Sequence, residues 1–296
     1  EVLRKRIDKF GVTQPNIQRI GNSGRILVEL PGAKDIERVK GLLQSTAQLE
    51  FWDAFKGEEF GTFIFQANEV LKELVETTAT ETDTPESTDD AISDIIGDTD
   101  AETGDVAEVN PLIDLIRAPG YNGGPVIASF EQKDKQQVIE YLNNPQVRAL
   151  LSSEQRYAKF VWGIPQVQTT MGENAQNIEL VELYALKGNR DNEPPLSGAV
   201  ITDARQAYQQ NGNPSVSMQM NLKGAKIWED MTGNAFNTAG QIAIVLDEIV
   251  YSAPGVTTGA ISGGNSEISG SFTLNEAVDL ANVLRAGKLP ASADII

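Results

Sequence analysis

The chain has 296 residues, 40% of them hydrophobic, which is enough for one large domain or two to three ordinary ones with a real core. It contains no histidine and no cysteine, which excludes the usual general base, thiolate nucleophiles and the common zinc, haem and iron–sulfur ligand sets. The formal net charge of −18 repels nucleic-acid phosphates and no basic, aromatic-rich face offsets it, so we expect no nucleic-acid partner.

The first 54 residues predict the element order α-β-β-α-β. Apolar residues at helical spacing end at Gly11, and "NIQRIGNSGRILVELPG" is typical of two strands around a turn. A second helix follows, and the alternation in "AQLEFWD" predicts a strand. No segment approaches the ~20 apolar residues that cross a bilayer. Because the chain begins at Glu1 without a signal pattern, we expect a piece of a longer protein.

Residues 55–195 are predicted to be an insertion. A helix over 59–75 leads into residues 76–109, which carry twelve acidic side chains and no basic one, so we expect this acidic tract to be disordered. Within the tract, "DTDAETGDVAEV" lacks the glycine and glutamate of an EF-hand loop, so we favour a solvated acidic segment over a calcium site. Strands and two helices between 124 and 186 then predict a small α+β module.

Residues 196–262 predict a head, and residues 263–296 are predicted to return to the base. The head holds strands near 200–208 and at "PSVSMQMNL", a helix from 224 to about 235, and the hairpin "QIAIVLDEIVYSAP". The last helix begins at a capping box formed by Thr273 and Glu276. Neither chain end alone buries both faces of its elements, so we expect 1–54 and 263–296 to form one shared base.

Three glycines at 263, 264 and 270 precede that last helix. No lysine follows them as a phosphate loop requires, and the Rossmann spacing also fails, so no cofactor or metal site is predicted. We interpret them as turn residues, joint residues or both. Gly198, Gly263 and Gly264 lie where the chain is predicted to leave and re-enter the base, and we expect them to act as hinges.

Met218, Met220 and Trp228 have two interpretations. Their periodicity favours a core, whereas methionine also suits an adaptable groove for unfolded polypeptide, so all three are candidate polypeptide contacts. The acid pairs Asp247–Glu248 and Glu229–Asp230 could act as hydrolase carboxylates. Adjacent strand residues face opposite sides and exposed acids are common, so we expect that the protein is not an enzyme.

Several motifs in one order resemble the large periplasmic domain of the SecD family, including its fused form SecDF: "LRKRIDKFGV", "STAQLEF", "LSGAVITDAR", "GQIAIVLDEIVYSAP" and "ISGGNSEISGSFTLNEAVDLANVLRAGKLP". The resemblance covers residues 1–53 and 196–296 and implies an α+β fold with a ferredoxin-like base and a mobile head. Residues 54–195 have no counterpart in this pattern, so we interpret them as lineage-specific. Glu248 stands where the family shows glycine, which weakens a type I′ turn because glutamate disfavours positive φ.

The resemblance implies an accessory subunit of the Sec protein-export machinery on the periplasmic side of the bacterial inner membrane. Its implied partners are an unfolded translocating polypeptide, the Sec translocon channel and a SecF-type subunit. Its implied role is to bind or release that polypeptide with the help of the proton-motive force. The membrane helices on which proton use depends in the family are not among these 296 residues. A generic periplasmic scaffolding module that docks other secretion subunits is the alternative, and a hydrolase is a further one.

Overall fold

A computed structural model describes residues 16–21, 25–31, 48–81, 109–169, 177–270 and 272–286. The helices in these ranges are α1 Gly61–Glu81, α2 Lys135–Asn143, α3 Pro145–Arg148, α4 Leu222–Thr238 and α5 Leu274–Ala286. The strands are β1 Asn16–Ile20, β2 Arg25–Glu29, β3 Leu49–Ala54, β4 Ile116–Pro119, β5 Val126–Glu131, β6 Lys159–Gly163, β7 Gln166–Thr169, β8 Asn177–Leu186, β9 Leu196–Ser197, β10 Ile201–Tyr208, β11 Pro214–Met220, β12 Gln241–Leu246, β13 Ile249–Ser252 and β14 Asn265–Ile268.

The described strands form three sheets, and the predicted mixed α+β class is confirmed. β1 and β2 form a hairpin, β10, β11 and β14 form a small sheet in the order β10-β11-β14, and the other nine strands form one large sheet. The ferredoxin-like arrangement of the base stays a prediction, because residues 1–15, 32–47 and 287–296 lie outside the described residues.

Five strands of the large sheet close into a small barrel. The order around the ring is β8, β6, β13, β12 and β3, and Ala54 of β3 closes it by pairing with Leu186 of β8. Hydrogen bonds from Phe55 N to Ala185 O (2.9 Å) and from Lys187 N to Asp53 O (2.7 Å) extend this closing contact. β6 and β13 are parallel, and the other neighbours in the ring are antiparallel. Such a narrow barrel is filled by its own side chains.

Alternation along the barrel strands distributes their side chains among three buried clusters. The barrel core contains Trp52, Ala54, Val161, Tyr184, Leu186, Ala243, Val245 and Val250, with Val126 of the adjacent β5. Outward-facing residues of β3 and β12 join α4, α5 and the small sheet in a second cluster, the head core. Residues of β5, β6 and β8 that face outward pack with α1, α2 and α3 in a third cluster, the insertion core.

The structure corrects the predicted boundaries of the insertion and the head. β6 and β8 lie within 124–186 yet supply two of the five barrel strands, so this module and the head form one body. β14 lies in the segment predicted to return to the base, but it pairs with β11. α5 contacts β10 and β11 and contributes to the head core. Local sequence patterns do not specify which other element covers a buried face.

Local signals at helix ends behave largely as predicted. Thr273 N donates to Glu276 Oε2 (2.7 Å) and Glu276 N donates to Thr273 Oγ1 (3.3 Å), which confirms the capping box of α5. α4 begins two residues earlier than predicted, because the Asn221 side chain accepts from Gly224 N at 2.9 Å. α1 continues through residues 76–81 of the tract predicted to be disordered, and residues 82–108 lie outside the described residues.

Asp247 and Glu248 form the two-residue turn between β12 and β13. Both have positive φ, 48° and 65°, which is the pattern of a type I′ turn. The expectation that Glu248 weakens this assignment is therefore wrong. Neighbouring backbone helps to hold the turn, since Gln48 N donates to Asp247 Oδ1 (3.0 Å) and Asp247 N donates to Gln48 O (3.2 Å).

Replacing Glu248 with glycine should raise the free energy of unfolding by about 1 kcal/mol, because an L-residue pays roughly 1–2 kcal/mol in the left-handed region. The Lys159 Nζ lies 3.9 Å from the exposed Glu248 carboxylate, and such a surface contact contributes little. Chemical denaturation measures the change. The control is the same substitution at exposed Glu229, inside α4, which should lower the free energy of unfolding by about 1 kcal/mol. A less stable E248G would contradict the argument.

The shared barrel predicts that the insertion core and the head core unfold together. The chain has three tryptophans, and Trp52, Trp162 and Trp228 lie in the barrel core, the insertion core and the head core respectively. Variants that keep only Trp162 or only Trp228, with phenylalanine at the other two positions, should each show one transition, and Leu186→Ala should shift both by about 2–5 kcal/mol. Fluorescence melts test this. Well-separated transitions at Trp162 and Trp228 would show that the barrel does not couple the two cores.

Candidate functional site

The predicted polypeptide contacts Met218, Met220 and Trp228 lie inside the head core. Their side chains are only 2%, 5% and 5% exposed, and the Trp228 ring meets Phe51 of the barrel wall edge-on at 5.1 Å between centroids. Their periodicity turns them toward the barrel, where β3 and β12 cover them. The favoured interpretation of these side chains as core residues therefore agrees with the structure, and their role as polypeptide contacts stays a prediction.

Gly263 and Gly264 form the turn that leads into β14. Both have positive φ, 81° and 74°, which glycine adopts without Cβ strain. Gly264 O accepts a hydrogen bond from Met220 N at 2.8 Å. A Cβ at position 264 would lie 2.8 Å from the Ala225 Cβ, whereas a Cβ at 263 would meet nothing within 4 Å. Gly264 is therefore needed both for its backbone conformation and for close contact with α4.

Gly198 lies in a short 3₁₀ turn between β9 and β10. A Cβ at this position would lie 2.9 Å from the Leu49 Cβ, so the glycine allows the turn to approach β3 closely. Leu196 before it and Ala204 after it both belong to the head core. Ile261, before the 263–264 turn, packs against this core, and Ile268, after the turn, belongs to it. A rotation at these positions would have to separate residues that pack together. The hinge role of the three glycines stays a prediction.

The surface beside the 263–264 turn carries an exposed side chain that the sequence analysis did not identify. Leu222 is the first residue of α4, and its side chain is 93% exposed. The sequence predicts a helix that begins at Gly224, and Leu222 lies outside that range. Recognising Asn221 as the N-cap would have placed Leu222 on the helix and off the apolar face that contains Trp228 and Met231.

In the small sheet, the β10 edge, which is opposite the β14 edge, is covered by Arg285 of α5. Its guanidinium donates to Ala204 O, with the Nε at 3.1 Å, and lies 3.3 Å from Asp203 Oδ1. The pKa of Asp203 is lowered by its hydrogen bond from Arg205 and by the nearby charges of Arg205 and Arg285. Two motifs that are 81 residues apart in the sequence, "TDAR" and "NVLRAG", therefore meet at this edge.

The acid pairs considered for hydrolysis lie on two different structural elements. Asp247 and Glu248 form a hairpin turn, and Glu229 and Asp230 lie on the exposed face of α4. Among the described residues no group of three or more acidic side chains is placed to hold a metal ion. The helices in the described ranges also include none that is long and apolar enough to cross a membrane.

Comparison with known proteins identifies two matching family models. Residues 1–55 match the N-terminal part of the P1 domain of the protein translocase subunit SecDF, and residues 183–291 match the P1 head subdomain of SecDF. A crystal structure of SecDF in its super-membrane-facing form is 24% identical with a TM-score of 0.48, and the match covers 98% of this chain and 26% of that chain.

Two curated relatives align with the whole chain. The protein translocase subunit SecD of Rhodothermus marinus is 38% identical, with 100% of this chain and 45% of the relative covered. That of Calditerrivibrio nitroreducens is 30% identical, with 100% and 38% covered. The chain thus spans less than half the length of these relatives. Because both alignments include residues 54–195, the interpretation of those residues as lineage-specific is wrong.

The 263–264 turn predicts unequal costs for alanine at its two glycines. Gly263→Ala should cost about 1–2 kcal/mol of unfolding free energy, because only the backbone conformation is strained. Gly264→Ala should cost more, because the new methyl group also clashes with Ala225. Denaturant unfolding of both variants gives the comparison, and Gly264→Ala combined with Ala225→Gly should recover part of the loss. Equal costs at the two positions would contradict this description of the turn.

Proposed function

Because the chain belongs to the SecD family of protein translocase subunits and contains its P1 region, we propose that it acts in protein export by binding and releasing a translocating polypeptide. The observation that carries this proposal is the match of residues 183–291 to the P1 head, since these residues supply most of the head core and two barrel strands, β12 and β13. We place this activity on the periplasmic side of the bacterial inner membrane, beside the Sec translocon channel and a SecF-type subunit.

The arrangement of the described residues suits a binding role. The head core, the barrel core and the insertion core share strands, so this body can move as a unit and carry a bound segment with it. A bound polypeptide can shift the orientation of such a body only through different affinities for the two orientations. We propose that the proton-motive force biases that orientation through membrane helices of the longer protein. Binding and release then require no bond-making chemistry in this domain.

Binding of unfolded polypeptide is the direct test. A fluorescently labelled polypeptide held unfolded by a destabilising substitution should bind saturably, with a dissociation constant in roughly the micromolar range, which allows release. The folded parent of the same polypeptide is the matched control and should not bind. Fluorescence anisotropy measures both. Equal binding of the folded and unfolded forms, or no binding of either, would contradict the proposal.

The alternative function is a scaffold that docks other secretion subunits. The insertion favours it, because the barrel fixes this helix-covered module to the head and the outer face of α1 carries an exposed phenylalanine, Phe65. In this case the domain would bind a SecF-type subunit or the translocon channel, and unfolded polypeptide would not compete. The same anisotropy measurement with those partners separates the two functions.

A further inference from the structure

The small sheet has an edge strand, β14, whose pairing fixes the direction of its backbone groups. Met220 N donates to Gly264 O, and the register places Met218 opposite Ser266 and Val216 opposite Ile268. In an antiparallel ladder, residues bonded to the neighbouring strand alternate with residues whose N–H and C=O point away. Asn265 and Glu267 therefore direct these groups away from β11. Within the described ranges no other residue bonds to them.

The other edge of the same sheet supports this assignment and shows the contrast. The alternation also predicts that Ala204 of β10, opposite Met218, points its carbonyl outward. Arg285 donates to that carbonyl, as required. The β10 edge is thus occupied at its centre by a side chain of α5, a common way to protect a sheet edge, whereas the β14 edge has no such side chain among the described residues.

The exposed Leu222 lies on the β14 side of α4. Gly264 is in close contact with Ala225, whereas Val200, on the β10 side, is in close contact with Gly224. At 3.6 residues per turn, Leu222 lies about 60° around the helix from Ala225 and about 160° from Gly224. Leu222 is therefore an almost fully exposed apolar side chain on the side of α4 that carries Ala225, near the start of the unpaired edge.

We propose that β14 binds an extended polypeptide segment as a fourth strand of the small sheet, with Leu222 contacting one of its apolar side chains. Outward N–H and C=O groups on every second residue match the backbone of an extended chain. Such backbone pairing depends little on the sequence of the bound segment. An edge strand of four residues offers few hydrogen bonds, and this small number suits reversible binding. This inference rests on the proposed function and identifies the surface that would perform it.

Backbone methylation of a probe peptide tests whether the backbone is recognised. The probe is a labelled ten-residue peptide of alternating valine and threonine with lysines at both ends. Methylating alternate amides leaves one hydrogen-bonding edge intact and should leave binding to the wild-type chain within about threefold. Methylating every amide removes both edges and should raise the dissociation constant at least tenfold. Equal affinity of the fully methylated and unmethylated peptides would overturn the proposal.

Variants of the chain locate the site. Glu267→Pro removes an outward N–H but no bond to β11, so it should preserve the melting temperature within a few degrees and weaken peptide binding at least tenfold. Leu222→Ser should weaken binding several-fold. Leu274→Ser is its matched control, because Leu274 is also the first residue of a helix and is 47% exposed, and it should have no effect. Unchanged affinity in Glu267→Pro would overturn the proposal.

Hydrogen exchange on the wild-type chain tests whether β14 binds the peptide, even if Glu267→Pro fails to fold. Peptide should protect the amides of Asn265 and Glu267 from exchange, whereas those of Ser266 and Ile268 are already hydrogen-bonded within the sheet.

If unfolded polypeptide binds but leaves the amides of 265 and 267 unprotected, this inference fails and the proposed function stands. If it does not bind at all, both fail. If sedimentation shows a dimer that protects the same two amides without peptide, the edge pairs with a second copy and the inference is overturned.

Discussion

The pairing of β3 with β8 at Ala54 and Leu186 is the contact on which the rest of the described structure depends. It turns an open sheet into a barrel whose wall separates the head core from the insertion core. Four of the five barrel strands, all except β13, then have a buried residue on both of their faces, and each large buried side chain contributes about 1.5–3 kcal/mol relative to exposure. Opening this one pairing would expose the barrel core and remove support from both neighbouring clusters.

The barrel also explains how the chain tolerates polar groups at buried positions. The buried carboxylate of Glu50 accepts from Trp52 Nε1 at 2.8 Å, and Lys159 Nζ lies 3.9 Å away. A buried charge needs such partners, because its desolvation is not otherwise compensated. On the opposite face of β3, burial raises the pKa of Asp53, and the nearby charge of Lys187 opposes that rise. The two cations, Lys159 and Lys187, lie on β6 and directly after β8, so the ring that closes the fold also supplies its counter-charges.

Sequence reasoning located most elements but not the partners of those elements. The capping box at Thr273 and Glu276 and the alternation of Met218 and Met220 depend on neighbours within a few residues, and these features were predicted. The β3–β8 closure joins residues 132 positions apart, Ala54 and Leu186, and no local period encodes that choice. For the same reason β14 and α5 were assigned to the base. A buried face is a local property, whereas the surface that covers it is decided by the whole chain.

Burial of the methionines changes the physical basis on which this domain can bind a polypeptide. Using Met218, Met220 and Trp228 as a groove would require the head core to open and would expose side chains whose burial helps to hold it. The proposed binding would therefore use groups that are already at the surface. The β14 backbone meets this condition without disturbing the core, since its other residues remain bonded to β11. β11 continues through Asn221 directly into α4, which packs against the barrel wall. In the proposed binding mode, a displacement of the bound segment would act on β11, α4 and the barrel wall through backbone hydrogen bonds rather than through a surface loop.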